Sequence, residues 1–66
     1  MILDTSSVST QKRVEMVKAF AYGETIGQVA EAEGLPIDIT VTIANEEHAN
    51  IQKEHDILQK AGYINE

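Results

Sequence analysis

Three glycines constrain the fold of this chain more than any other feature, because each follows a run of residues with helical periodicity. Gly23, Gly34 and Gly62 stand where a helix needs a residue that accepts the left-handed backbone conformation after its last turn. The stretches before them are the candidate helices. They predict helices at about 10–22, 26–33 and 45–61.

The first two stretches begin with recognisable helix caps. Ser9 or Thr10 can cap the first helix, and Val8 just before them suits a hydrophobic staple. Thr25 and Gln28 have the spacing of a capping box, in which each side chain accepts from the other residue's backbone N–H. The second stretch has only about two turns, so we expect packing to stabilise its helix.

The segment 37–43 fits two structures. Its apolar residues alternate with Asp38, Thr40 and Thr42, which is the pattern of a half-buried strand of β-favouring residues. A helix competes, because Asp38 is a good cap and a stripe of residues recurs at alternating spacings of four and three. This stripe consists of Ile37, Val41, Ala44, His48, Ile51, His55 and Leu58. A lone strand would lack a pairing partner. We therefore expect a helix, with a short strand in an α+β fold as the alternative.

A helix at 37–43 would continue into 45–61 as one long helix. Residues 38–61 would span about 36 Å, more than two short helices can cover. The segment also contains two similar heptads, 47–53 and 54–60, each beginning with Glu-His and ending with Gln-Lys. The uncovered apolar stripe predicts a homodimer. Its interface would consist of Val41, Ala44, His48, Ile51, His55 and Leu58.

The predicted fold is therefore all-α, with three helices in one small domain. The chain has 66 residues, enough for a domain at 10–66 preceded by a flexible lead at 1–9. A chain this short buries only about 60% of its unfolded surface. It has no cysteine, which excludes disulfides and leaves self-association as an aid to stability. The absence of a long apolar run and of a signal pattern predicts a soluble cytoplasmic protein without membrane contacts.

Negative charge is concentrated in the middle of the chain. The formal net charge is −6, and residues 23–56 hold eight carboxylates against one lysine. No Lys or Arg lies between positions 19 and 52. Nucleic-acid binding normally needs clustered cations, so this region favours a basic protein partner over DNA, unless it is simply a solvated face. The acidic face would consist of Glu31, Glu33, Asp38, Glu46, Glu47 and Glu54.

The segment 23–35 resembles the first helix and turn of a helix-turn-helix DNA-binding unit. Ala30 stands where that family has a small residue between crossing helices, and Gly34 and Leu35 match the turn glycine and the apolar residue after it. The tail 57–64 resembles the end of a winged-helix recognition helix. The stretch between these two segments is longer than in winged-helix units.

The resemblance implies a small regulatory protein of the helix-turn-helix kind. The second helix of the motif would begin near Asp38, where no cation is close enough in sequence to hold a phosphate. DNA contacts are therefore only weakly supported. The residues that could make them are Lys12, Arg13, Lys18, Thr42 and Asn45.

The histidines and their acidic neighbours do not predict a metal site or a catalytic site. His48 and His55 are seven residues apart, or about 10 Å along a helix, which is too far for one metal ion. Adjacent helical residues point about 100° apart, so the carboxylates next to each histidine would not converge with it. No nucleophile is visibly paired with a base. We expect neither catalysis nor a cofactor.

Two functional hypotheses follow from these patterns. The first is a helix-turn-helix-like protein of transcription control that acts mainly through protein–protein contacts. The alternative is an acidic inhibitor, adaptor or DNA mimic that binds a basic partner protein and no DNA.

Overall fold

The computed structural model describes residues 5–64, and these residues contain four α-helices. The prediction of an all-α fold is confirmed, and the alternative of a strand at 37–43 is wrong, because this segment is helical. Residues 1–4 of the predicted N-terminal lead lie outside the described residues. The helices are α1 Thr10–Ala21, α2 Ile26–Glu33, α3 Ile37–Glu46 and α4 His48–Lys60.

Local capping sets the limits of α1 and α2, as the sequence predicts. The Ser9 side chain accepts a hydrogen bond from the backbone N–H of Lys12. Thr25 and Gln28 form the capping box in both directions. Gly34 follows α2 with φ 67°, a left-handed conformation that costs other residues free energy. These contacts satisfy backbone groups that a helix end leaves without partners.

The strand-like sequence of α3 is accommodated in a helix by its two threonines. The hydroxyls of Thr40 and Thr42 donate to the carbonyls of Pro36 and Asp38, four residues earlier, each at 2.9 Å. Thr40 is fully buried, and a buried hydroxyl without a hydrogen bond would cost free energy. The bond to Pro36 avoids that cost. A strand here would have needed a neighbour for its backbone, whereas the helix satisfies its own.

The same helix divides the alternating apolar residues between two faces. Residues two apart lie about 200° from each other around a helix, so every second residue of the series points away from the core. Ile39 and Ile43 face the core. Ile37 and Val41 are 55% and 38% exposed.

The predicted long C-terminal helix is bent into α3 and α4 at Glu47. The backbone of Glu47 has φ −97° and ψ 12°, outside the helical range. A straight helix of about 36 Å could not follow both α2 and α1. The bend allows α3 to pack on α2 while α4 packs along α1 and buries Leu58. Because of this bend, residues 5–64 contain four helices where the sequence predicted three.

The core lies between the first three helices. Met16 of α1, Val29 of α2 and Ile43 of α3 are almost fully buried and contact one another. α1 contacts all three other helices, most extensively α4, whereas α2 and α4 have no contact within residues 5–64. The partly buried residues around the core are Val8, Ala19, Phe20, Leu35 and Ile39.

Alanine substitutions at two glycines of α2 and its turn should have opposite effects. A Cβ at Gly34 or at Gly27 would meet no atom within 4 Å, so only backbone conformation separates the two positions. Gly34→Ala should destabilise the fold by about 1 kcal/mol, because alanine resists the left-handed conformation. Gly27→Ala should stabilise it by about 0.5 kcal/mol, because Gly27 lies in a helix. Urea unfolding measures both, and effects of the same sign would contradict this account.

Candidate interaction surfaces

The side chain of Arg13 joins three parts of the chain. Its Nη2 donates to the carbonyl oxygen of Thr5 at 2.6 Å, and its Nε donates to the carbonyl oxygen of Val8 at 3.4 Å. Its Nη1 donates to Oε1 of Glu46 at 2.8 Å and lies 3.6 Å from Oε2 of Glu47. We call these five residues the Arg13 cluster. The cluster connects the segment before α1 to the bend between α3 and α4.

Thr5 is the member of this cluster that the sequence did not indicate. It is buried, and its hydroxyl donates to the Glu46 carboxylate at 2.9 Å while accepting from Arg13 at 2.9 Å. The hydrogen bonds that the Glu46 carboxylate accepts, first the one from Arg13 and then the one from Thr5, lower the pKa of Glu46 below its usual value. Glu46 and Glu47 of the predicted acidic face are therefore matched by a cation of their own chain.

Lys12 makes a second contact within the chain. Its Nζ donates to the carbonyl oxygen of Glu33 at 2.9 Å, at the end of α2. Burial and the nearby carboxylate of Glu15 raise the pKa of the Glu33 carboxyl, and Lys12 offsets this only in part. The contact places a cation at a helix C-terminus, where the helix dipole favours it.

The predicted DNA-contacting residues do not form one surface. Lys12 and Arg13 bind groups of their own chain, and the hydroxyl of Thr42 donates to a carbonyl within α3. Lys18 lines the groove between α1 and α4, and Asn45 is exposed on α3. These side chains would therefore have to be released or moved before they could bind one duplex.

The predicted dimer residues are divided between the surface and the interior. Val41 and His48 are exposed, whereas Leu58 is buried within the single chain. Ala44, Ile51 and His55 are partly buried. Because α4 packs along α1, the α4 half of the expected stripe is largely used inside the chain. Homodimerisation stays a prediction. The α3 part of the stripe, Val41 and Ala44, is the part that a second copy could contact without displacing α1.

The outer face of α3 has two exposed apolar side chains. We define it as Ile37 and Val41, one helical turn apart, with Asp38 and Asn45 beside them, all four exposed. Of the other carboxylates predicted to form the acidic face, Glu31 on α2 and Glu46 are exposed. The remaining three are partly buried: Glu33, Glu47 and Glu54. Ile37 was not among the predicted interface residues. It belongs to the same predicted helical stripe as Val41. The alternating pattern of 37–43 points the same way, because in a helix it leaves every second apolar residue on the outer side.

A groove of about 370 Å³ runs between α1 and α4. Its α1 wall includes Val14, Val17 and Lys18, and its α4 wall includes Asn50, Lys53 and Glu54. Arg13 and Glu47 close one end. Val14 is 48% exposed, so the groove has an apolar surface open to solvent.

Comparison of the chain with protein families, with curated proteins and with solved structures finds no match. Within residues 5–64, no helix is long and apolar enough to cross a membrane. The same residues contain no group of three or more His, Cys, Asp or Glu side chains placed to hold a metal ion. The candidate sites are therefore the two surfaces just described.

Replacing Arg13 by lysine should destabilise the fold although the charge is kept. A single ammonium cannot reach two backbone carbonyls and a carboxylate together, so Arg13→Lys should cost about 1–2 kcal/mol in urea unfolding at neutral pH. The matched control is the reverse change, Lys18→Arg, at an exposed residue, which should alter stability by less than about 0.5 kcal/mol.

The cost of Arg13→Lys should also shrink in acid. The folded state lowers the pKa of Glu46, so this carboxylate adds stability above its unfolded pKa and loses it as the pH falls through the folded pKa. The contradicting result is a stability cost of Arg13→Lys that is the same at neutral pH and at a pH well below the folded pKa of Glu46. It would show that the contact with Glu46 does not contribute to that cost.

Neutralising Glu33 should stabilise the protein at neutral pH. Its pKa is raised in the folded state, so the folded protein disfavours the charged form at pH 7, and Glu33→Gln removes that charge. The gain should disappear as the pH falls below the unfolded pKa, where Glu33 is protonated in both states. Glu31→Gln, at an exposed position on the same helix, is the control and should change stability little. A loss of stability in Glu33→Gln at pH 7 would contradict this assignment.

Proposed function

We propose that this chain is a small helix-turn-helix-like protein of transcription control that acts mainly through contacts with a partner protein. The succession of α2, a turn with Gly34 in a left-handed conformation, and α3 supports the resemblance to such a unit. Ala30 is buried in α2, as expected of a small residue at a helix crossing. These features support a helix-turn-helix-like fold. The surface of α3 supports binding to a protein rather than to DNA.

The observation that carries the proposal is the outer face of α3. In helix-turn-helix proteins the second helix presents its exposed side chains to the ligand. Here that helix presents Ile37 and Val41 beside Asp38, and it has no lysine or arginine. Apolar side chains one turn apart suit a groove or a helix of another protein. They do not provide the phosphate contacts that position a protein on DNA.

The charge around this face defines the partner's chemistry. No Lys or Arg lies between positions 19 and 52, and Glu31 and Asp38 are exposed. A partner with an apolar centre and basic residues around it would be complementary in both respects, because opposite potentials steer the encounter and disfavour acidic competitors. Of the three cations predicted as possible DNA contacts, two bind groups of their own chain, Lys12 and Arg13.

Those two intrachain contacts also favour the second candidate function. A protein that keeps Lys12 and Arg13 in internal contacts can act as an acidic inhibitor or adaptor that never binds DNA. Both functions use the same face of α3. They differ in the partner, which is a component of the transcription machinery in the first case and an unrelated basic protein in the second.

Affinity capture from the source cell, with wild-type and substituted protein as bait, tests the proposal. A basic partner that acts in transcription should bind wild type, and Ile37→Asp combined with Val41→Asp should reduce its recovery at least about tenfold. Ile57→Asp is the matched control, because Ile57 is 50% exposed but lies on α4. Circular dichroism checks that each variant is folded.

Two further measurements separate the alternatives. In a salt-titrated DNA-binding assay, sequence-specific binding that weakens steeply with salt and persists in the α3 variant would contradict the proposal. Sedimentation of the free wild-type protein shows whether it dimerises, and sedimentation of the Ile37→Asp, Val41→Asp variant shows whether a dimer needs the outer face of α3. A basic partner without any role in transcription would favour the inhibitor.

A further inference from the structure

We propose that this chain has a second, dimeric form in which two copies exchange α4. In that form the bend at Glu47 is straightened, and α4 of each copy packs on α1 of the other copy. This interface differs from that of the homodimer predicted from the sequence, because it uses the contacts that α1 and α4 make within one chain. The inference does not depend on the proposed function.

The bend consists of one residue, which we call the hinge residue, and nothing in the covalent chain requires it. Glu47 is the single residue between α3 and α4. Its N–H donates to the carbonyl of Ile43 at 2.8 Å, and its carbonyl accepts from the N–H of Ile51 at 2.9 Å, as in an uninterrupted α-helix. Residues 37–61 contain neither glycine nor proline, the residues that helices tolerate least. A change of the Glu47 backbone dihedrals to helical values would therefore join α3 and α4 into one helix.

α4 forms a unit separate from the core. It contacts α1 most extensively, and within residues 5–64 it has no contact with α2. Leu58 is the buried residue of α4. Among the same residues, the core of Met16, Val29 and Ile43 includes none from α4. The first three helices therefore keep their core whichever copy supplies the α4 that packs on α1 as the chains fold.

Domain swapping of this kind retains the packing between α1 and α4. Every contact between these helices in the monomer can form again between the two copies, so the monomer and the dimer differ mainly at the bend. Arg13 donates to Glu46 and lies 3.6 Å from Glu47, and these contacts favour the bent monomer. Val41 and His48 lie on either side of the bend and are exposed in the monomer, so they are available for the new contact between copies.

Two substitutions of the hinge residue test the proposal. Both Glu47→Ala and Glu47→Gly remove the ion pair with Arg13, and they differ in that alanine favours a continuous helix and glycine disfavours it. Because a dimer contains two straightened hinges, the association constant of Glu47→Ala should exceed that of Glu47→Gly at least about tenfold. Sedimentation equilibrium measures both constants after each protein has been unfolded in urea and refolded at high concentration.

The same pair of substitutions at Gln52 is the control. Gln52 is exposed in α4, which is helical in the monomer and in the proposed dimer alike. Gln52→Ala and Gln52→Gly should therefore differ in stability, but their association constants should agree within about twofold. Circular dichroism checks that all four variants are folded.

Isotope-filtered NMR shows whether α4 is exchanged in the dimer. Isotope-labelled and unlabelled Glu47→Ala are refolded together in equal amounts, so that mixed dimers form. Nuclear Overhauser effects between a labelled and an unlabelled chain then arise from contacts between copies. In the dimer, the methyl groups of Leu58 should show such effects to α1, because Leu58 is buried where α4 packs on α1. The monomer fraction should show none.

Three results would overturn the proposal. The first is that the two hinge variants have equal association constants. The second is that Glu47→Ala stays monomeric after refolding at high concentration. The third is a dimer in which the contacts between Leu58 and α1 stay within each copy. If that dimer is lost when Ile37→Asp is combined with Val41→Asp, it is formed by the outer face of α3 instead.

Discussion

The guanidinium of Arg13 joins α1 to the segment before it and to the bend between α3 and α4. An exposed ion pair contributes little by itself, and Glu46 is largely exposed. Arg13 contributes more because its planar group also binds the carbonyls of Thr5 and Val8. One side chain therefore holds the segment before α1, α1 itself and the bend at Glu47. The bend directs α4 along α1 and creates the groove between them.

The parts of this fold that the sequence predicted are those determined by neighbours in sequence. Ser9, the capping box of Thr25 and Gln28, and Gly34 each act over a few residues, and the predicted limits of α1 and α2 followed from them. The bend at Glu47 could not be predicted in this way. It accompanies contacts that span 33 residues from Arg13 to Glu46 and 41 residues from Thr5 to Glu46. No periodicity reports contacts at such separations.

The grouping of residues on the candidate surfaces could not be predicted from the sequence, because it depends on how the helices pack. Lys12 and Arg13 were predicted as possible DNA contacts, yet both bind groups of their own chain. Val41 was expected at an interface and is exposed, whereas Leu58 is buried. The alternating pattern that suggested a strand proved the most informative. In a helix it necessarily produces a second apolar face, because one face alone cannot hold residues two apart.

Within residues 5–64, α2 and α4 do not contact each other, and this determines where the molecule can unfold locally. Detaching α2 disrupts its packing on α1 and α3 but leaves the pairing of α1 with α4 intact. α2 is also the shortest of the four helices among residues 5–64. Partial opening should begin there, so backbone amide protons of α2 should exchange with solvent sooner than those of α1. The open form would uncover Met16 and Val29 while the Arg13 cluster still held the other end, so a protease would first cut at α2 or its turn.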